Sequence, residues 1–221
     1  MVKTIYVSKQ MSDEEIADRE GEYFDEKHFD IIVDEDADVF TDDGKLLLKL
    51  RKKVIPKEYT DMALASYRDA AKKTHENRGA AAGELDRNKM NNYIGEFVDQ
   101  GKFRTKFYSN TSGKLSKQAT SNLSPSNIIG FYDKPDRNLL GKGPPCRLTA
   151  FNRDNPELWE NSVPFIEEID RLFKELTPEA HKKQLKKCQS VPNFAIADTA
   201  YSTVTINYSW RTALHKDKGD F

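Results

Sequence analysis

The chain has 221 residues, 37% of them hydrophobic and 32% charged, with 12 Phe and a formal net charge of −1. That is enough apolar material for one large core, and no stretch approaches the roughly eighteen apolar residues of a membrane span. Two cysteines, Cys146 and Cys188, without C-x-x-C spacing exclude a zinc ribbon or a disulfide framework and are expected to be reduced thiols.

The near-zero net charge hides two halves of opposite sign. Residues 1–43 carry 15 acidic and 4 basic side chains, which leaves 31 basic against 21 acidic for residues 44–221. The N-terminus, MVKTIYVSKQMSDEE, lacks a hydrophobic signal core, so an intracellular protein is expected, in cytoplasm or nucleus. Within the acidic segment lie short apolar runs at Ile31–Val33 and Val39–Phe40. Asp42-Asp43-Gly44 then makes a turn into the strand-like KLLLKLRKKVI, so residues 1–55 are expected to form an acidic segment with a hairpin, and 56–221 the main domain. A calcium loop starting at Asp34 fails, because its sixth and twelfth positions are Val39 and Lys45 rather than Gly and Glu.

From Pro56 to Thr74 the spacing predicts a helix with Met62, Leu64, Tyr67, Ala70 and Ala71 available for an inward face, Pro56 suiting its first turn. A loop-rich region is expected over 77–126, broken by Tyr93, Ile94 and Phe97. At its start RGAAAG, Arg78 to Gly83, lacks both the Gly-Lys-Ser/Thr ending of a phosphate loop and a preceding strand. Its small residues permit close backbone approach to another group. That group is either a substrate strand or base, with Arg78 and Gly79 in contact, or the protein itself in a packing turn.

Further along, Gly101–Gln118 contains Lys102, Arg104, Lys106, Lys114 and Lys117, no acid, and the aromatics Phe103, Phe107 and Tyr108. Cations interleaved with rings suit a nucleic-acid backbone with exposed bases. A solvated basic loop or hairpin explains the composition equally well.

Strands are expected at Asn127–Tyr132 and Arg147–Phe151; the Gly and Pro around Lys142 read as a turn. Two helices follow, Pro164 opening the first and Thr177-Pro178 capping the second. In the Lys-rich second helix His181 is expected at the surface, as is His28 in its acidic stretch, and His75 at the polar end of a helix.

The C-terminal stretch is the most informative. Thr203–Tyr208 alternates as a strand does, and His215 and Asp217 follow it. Residues two apart in extended chain point the same way, so an imidazole and a carboxylate can converge on one metal ion. A second imidazole would complete the facial triad that holds ferrous iron in non-heme oxygenases. Alternation turns Asn207 and Tyr208 to opposite faces, so Asn207 is expected to face the site and Tyr208 to be core.

The run NYSWRTALHKDKGDF resembles the iron-binding segment of the Tet and J-binding protein family of dioxygenases, most of all its phage, giant-virus and algal branch. RGAAAG, NIIGFYD, PPCRLTAF and VPFIEEIDRLF match in order from about Arg78 onward. The resemblance implies an α+β fold with a double-stranded β-helix (jelly-roll, cupin-like) core flanked by helices. It implies Fe(II) held by His215, Asp217 and a distal His, and oxidation of the methyl group of thymine or 5-methylcytosine in DNA, single-stranded or with the base flipped out. The co-substrate it implies is 2-oxoglutarate, or ascorbate as in the algal members. Asn207 and Arg211 are its implied contacts, with Ala200 and Asp220 at the positions that touch ascorbate. For DNA the candidates are Arg78, Gly79, Lys102 and Arg104. The distal His and a co-substrate-binding basic residue would lie beyond Phe221, so the chain is expected to be an N-terminal portion that alone binds iron weakly and turns over little or nothing. Two other readings stay open: an oxygenase of this fold acting on a protein or small molecule, and an inactive nucleic-acid-binding module.

Overall fold

The computed structural model describes residues 1–75, 78–84, 93–94, 105–109, 115–119, 122, 124–132 and 147–216. It is a mixed α/β structure of small sheets and helices, dividing into two compact units. The first comprises residues 1–52, 74–125 and 209–221, and the second residues 53–73 and 126–208.

In the first unit, strand β1 (Lys3–Val7) pairs in parallel with β2 (Ala37–Thr41), which pairs antiparallel with β3 (Leu46–Leu50). Parallel neighbours need a crossover. It contains helix α1 (Asp13–Asp18), started by a capping box in which the Ser12 hydroxyl accepts from the Glu15 N–H and Glu15 accepts from the Ser12 N–H. The β2–β3 turn is the expected one, Gly44 adopting φ +81° with nothing near its missing Cβ. Alternation buries Ala37 and Val39 and turns Asp38 outward to Arg51 at 2.7 Å and Lys49 at 3.8 Å.

Strand β4 (Thr74–His75) stands where His75 was expected to end a helix, and the region expected to be loop-rich, 77–126, holds β5 (Tyr93–Ile94), β6 (Thr105–Ser109) and β7 (Leu115–Ala119). β5, β6 and β7 form an antiparallel sheet, so part of the basic stretch is paired strand. β6 sets its two aromatics side by side and β7 is mostly polar, so neither shows the apolar alternation that marks a strand in sequence. Lys102 and Arg104 lie outside the described residues, as do Lys142 and Cys146.

Strand β8 (Ser124–Tyr132) pairs with β4 through its first two residues. From Ser126 on it belongs to the second unit, pairing antiparallel with β10 (Thr203–Asn207) and, at Phe131 and Tyr132, with the short β9 (Arg147–Leu148). Helix α2 (Lys57–Ala71) begins after Pro56 and sets Ala63, Tyr67 and Ala70 against Ile129, Val204 and Ile206. Its periodicity is the one read from sequence, although Leu64 is 57% exposed.

The strand expected over Arg147–Phe151 stops at Leu148, and helix α3 (Ala150–Asp154) takes over. The buried side-chain oxygen Oδ1 of Asn152 ends the strand locally: it accepts from the Gly130 N–H at 2.8 Å and the Thr149 hydroxyl at 2.8 Å, and Phe151 lies in the core beside Tyr67. Helix α4 (Pro156–Leu176) starts at Pro156, not at Pro164, which lies inside it. Pro156 fills the first-turn position where a missing N–H costs nothing, and the packed face of Trp159, Phe165 and Ile166 carries the helix past the second proline. Helix α5 (Pro178–Cys188) opens after Thr177 as expected. Cys188 is a free thiol whose pKa burial pushes up, with the Asp170 carboxylate adding to the effect, which leaves it little thiolate character.

His181 is buried rather than exposed. Its Nε2 lies 3.0 Å from the Asp170 carboxylate, and the other oxygen of Asp170 accepts the Ala200 N–H at 2.8 Å. Gln184 donates to the Ala200 carbonyl at 3.0 Å. Ala200, 2% exposed, is therefore held on both sides of its backbone. Tyr208, expected in the core, is 40% exposed with the Lys72 ammonium 5.4 Å from its ring centre, because the strand ends at Asn207 and alternation no longer directs its side chain. Asn207 is exposed. No helix among the described residues is long and apolar enough to cross a membrane.

Candidate metal centre

His215 follows an irregular segment of the first unit whose backbone is held by three partners. The Ala213 N–H donates to the Ala81 carbonyl at 2.9 Å. The Leu214 N–H donates to the Glu22 carbonyl at 2.9 Å, and the Leu214 carbonyl accepts from the Gly21 N–H at 2.8 Å. Ala213 is 3% exposed, and Ala80, Ala81 and Ala82 are all buried in a tight 3-10 turn over Gly79–Ala82. Through Ala81 the RGAAAG turn packs against Ala213 of this chain. Asn122 clamps its far end, its amide donating to the carbonyls of Ala82 at 3.0 Å and Glu84 at 2.6 Å. Arg78, half-buried, precedes the turn.

The His215 ring is half-buried, with Nδ1 2.7 Å from the Ala213 carbonyl. A carbonyl only accepts, so Nδ1 is the donor in this contact. Metal-binding histidines fix their tautomer in this way, by donating the other ring N–H to a carbonyl or carboxylate. In this respect His215 fits a metal ligand. Asp217 and Asp220 lie outside the described residues. Among the described residues no three His, Cys, Asp or Glu side chains gather as they would around a metal ion. His28 is engaged locally, stacked on Phe24 and 2.6 Å from Asp25.

Arg211, a candidate from sequence, is exposed; its Nη1 donates to the Phe24 carbonyl at 3.1 Å and its guanidinium lies 5.1 Å from the centre of the Tyr23 ring. On the other side Lys216 stands close enough to α1 to help hold the Asp13 carboxyl below its usual range, an effect led by the hydrogen bond from Lys9. Sequence reasoning missed the Gly21–Phe24 contacts. The signal it had was slight: one glycine in an acidic run, at φ +98°, followed by two aromatics.

No family model matches the chain, and no solved structure matches it. Curated proteins do. The bifunctional helicase and thymine dioxygenase JBP2 of Leishmania tarentolae is 34% identical over 112 residues, which is 50% of this chain and 10% of that protein. The Trypanosoma brucei brucei protein of the same name is 34% identical over 98 residues, 42% of this chain and 8% of that protein. Thymine dioxygenase JBP1-B of Trypanosoma cruzi is 34% identical over 97 residues, 43% of this chain and 11% of that protein. Over about half of its length the chain is therefore similar to proteins named thymine dioxygenases, and it spans about a tenth of the length of those relatives.

Proposed function

We propose that His215 and Asp217 are two ligands of a ferrous ion in an enzyme that oxidises the methyl group of a pyrimidine, thymine before 5-methylcytosine, in DNA. The similarity to thymine dioxygenases over half of the chain carries this reading, and the Nδ1–Ala213 hydrogen bond of His215 supports it. Bound iron supplies oxygen activation at the expense of a reducing co-substrate, 2-oxoglutarate or ascorbate. The chain's own part is positioning. The Ala213 carbonyl holds a proton on Nδ1 of His215, and the buried alanine turn beneath Ala213 keeps that carbonyl in place. Asn207, Ala200 and Asp220 are assigned to the co-substrate, and Arg78, Gly79, Lys102 and Arg104 to DNA. The fold of the oxygenase core is proposed to be a double-stranded β-helix. A methyl group inside a duplex is out of reach, so the base is taken single-stranded or flipped out.

The DNA part of this reading is tested by fluorescence anisotropy with a thymine-rich single strand across a salt series. Affinity should fall steeply with salt, by about 0.7 logarithmic units per logarithmic unit of salt for each phosphate neutralised. A Lys102→Ala, Arg104→Ala variant should bind more weakly with a shallower slope. Binding indifferent to salt and to both substitutions would contradict the assignment of DNA to this chain.

A further inference from the structure

We infer that Gly21–Phe24 of the acidic N-terminal segment is a strap that positions the metal-binding segment, with Tyr23 and Arg211 as its positioning residues. The inference rests on the reading of His215 as an iron ligand and gives a task to a segment that the sequence left without one.

The residue just before His215 is held on both sides by the strap, through the Leu214 N–H to Glu22 and the Gly21 N–H to Leu214. One residue earlier, Ala213 is tied to Ala81 and presents the carbonyl on which the imidazole is oriented. With the backbone fixed at 213 and 214, the ring of His215 pivots from a rigid base. A ligand must be held to a fraction of an ångström and a few tens of degrees, and such support is what second-layer contacts provide.

The strap is closed at its other end by side chains. Arg211 reaches across to the Phe24 carbonyl and lies against the Tyr23 ring. Tyr23 also meets Gly83, where an added Cβ would come within 2.6 Å of the Tyr23 ring carbon Cε2. Gly83 has φ +83° and ψ 179°, a region open essentially to glycine alone. RGAAAG therefore ends in a residue that lets the alanine turn and the strap close on each other, while its second alanine carbonyl, that of Ala81, holds Ala213. Two stretches far apart in sequence, one acidic and one small-residue, converge on the five residues from Arg211 to His215. In this arrangement the guanidinium of Arg211 serves the strap rather than a co-substrate carboxylate.

The test uses the full chain with 15N-labelled histidine. Imidazole nitrogen shifts of His215 should report the Nδ1-protonated tautomer in the metal-free protein. Arg211→Ala and Tyr23→Ala should give a mixture of tautomers and weaken ferrous-iron binding roughly 10- to 100-fold, the range for loss of a ligand's supporting contact. Tyr23→Phe, which keeps the ring, should behave as the parent. Gly83→Ala should resemble Tyr23→Ala; if it fails to fold, the exposed Arg211 decides, since its replacement removes no core. Folded Arg211→Ala and Tyr23→Ala proteins with the parent's tautomer and iron affinity would overturn the strap. Parent His215 signals untouched by ferrous iron would overturn the metal reading instead, and the tautomer shifts of the metal-free variants would still decide the strap.

Discussion

Replacing His181 by alanine should cost about 3 kcal/mol of folding stability, from a buried carboxylate oxygen left without its hydrogen-bond partner and the packing lost with the ring. The side chains of His181 and Asp170 are 4% and 15% exposed, and Phe173 packs edge-on to the imidazole at 5.3 Å. Alanine removes the donor to one carboxylate oxygen while the other stays committed to the Ala200 N–H. The carboxylate is then left half-satisfied where water reaches it poorly. Urea unfolding should show the midpoint falling by about 1.5 M with the slope unchanged, taking a slope of about 2 kcal/mol/M. His181→Gln, which keeps an N–H donor, should recover part of the loss. A cost below about 1 kcal/mol would mean that the pair is not a support of the Ala200 loop.

Gly130→Ala should be at least as damaging. At φ +101° an L residue costs about 1–3 kcal/mol in backbone strain. The new Cβ would also stand 2.5 Å from the Ser202 carbonyl and 3.0 Å from Cδ1 of Ile196, which is fully buried. Ser202 cannot withdraw freely, because its carbonyl accepts the Phe131 N–H at 2.8 Å. Overpacking adds about 1–3 kcal/mol, so about 4 kcal/mol in all is expected. Gly44→Ala is the control: it has a similar positive φ but nothing within 4 Å, and should cost only about 1–2 kcal/mol. Equal effects at the two sites would show that the contact with Ser202 contributes nothing.

Local pattern carried the elements whose neighbours in sequence share their environment. β10 is legible because Thr203–Asn207 alternates, and α2 because Tyr67, Ala70 and Ala71 recur at helical spacing. His181 was misplaced because four lysines surround it on α5, while the face that packs is formed by His181, Leu185 and Cys188 at spacings of four and three. Pro164 was read as a helix start because proline favours the first turn, yet Pro156, eight residues earlier, already fills that place. The sequence reading of the metal pair depended on His-x-Asp spacing and on resemblance. Neither could reveal the hydrogen bonds from residues 21–24 to residues 211–214, which join segments about 190 residues apart and leave no periodic trace. RGAAAG was legible as a place of close backbone approach, and Ala213 of the same chain approaches it at Ala81.

The most direct test of the central claim is an anaerobic ferrous-iron titration of the 221-residue chain beside its His215→Ala, Asp217→Ala variant, with and without 2-oxoglutarate or ascorbate. Binding should be weak in the parent, strengthened by one of the two co-substrates, and lost in the variant. Binding absent from the parent, or equal in parent and variant, would contradict the assignment of His215 and Asp217 as iron ligands.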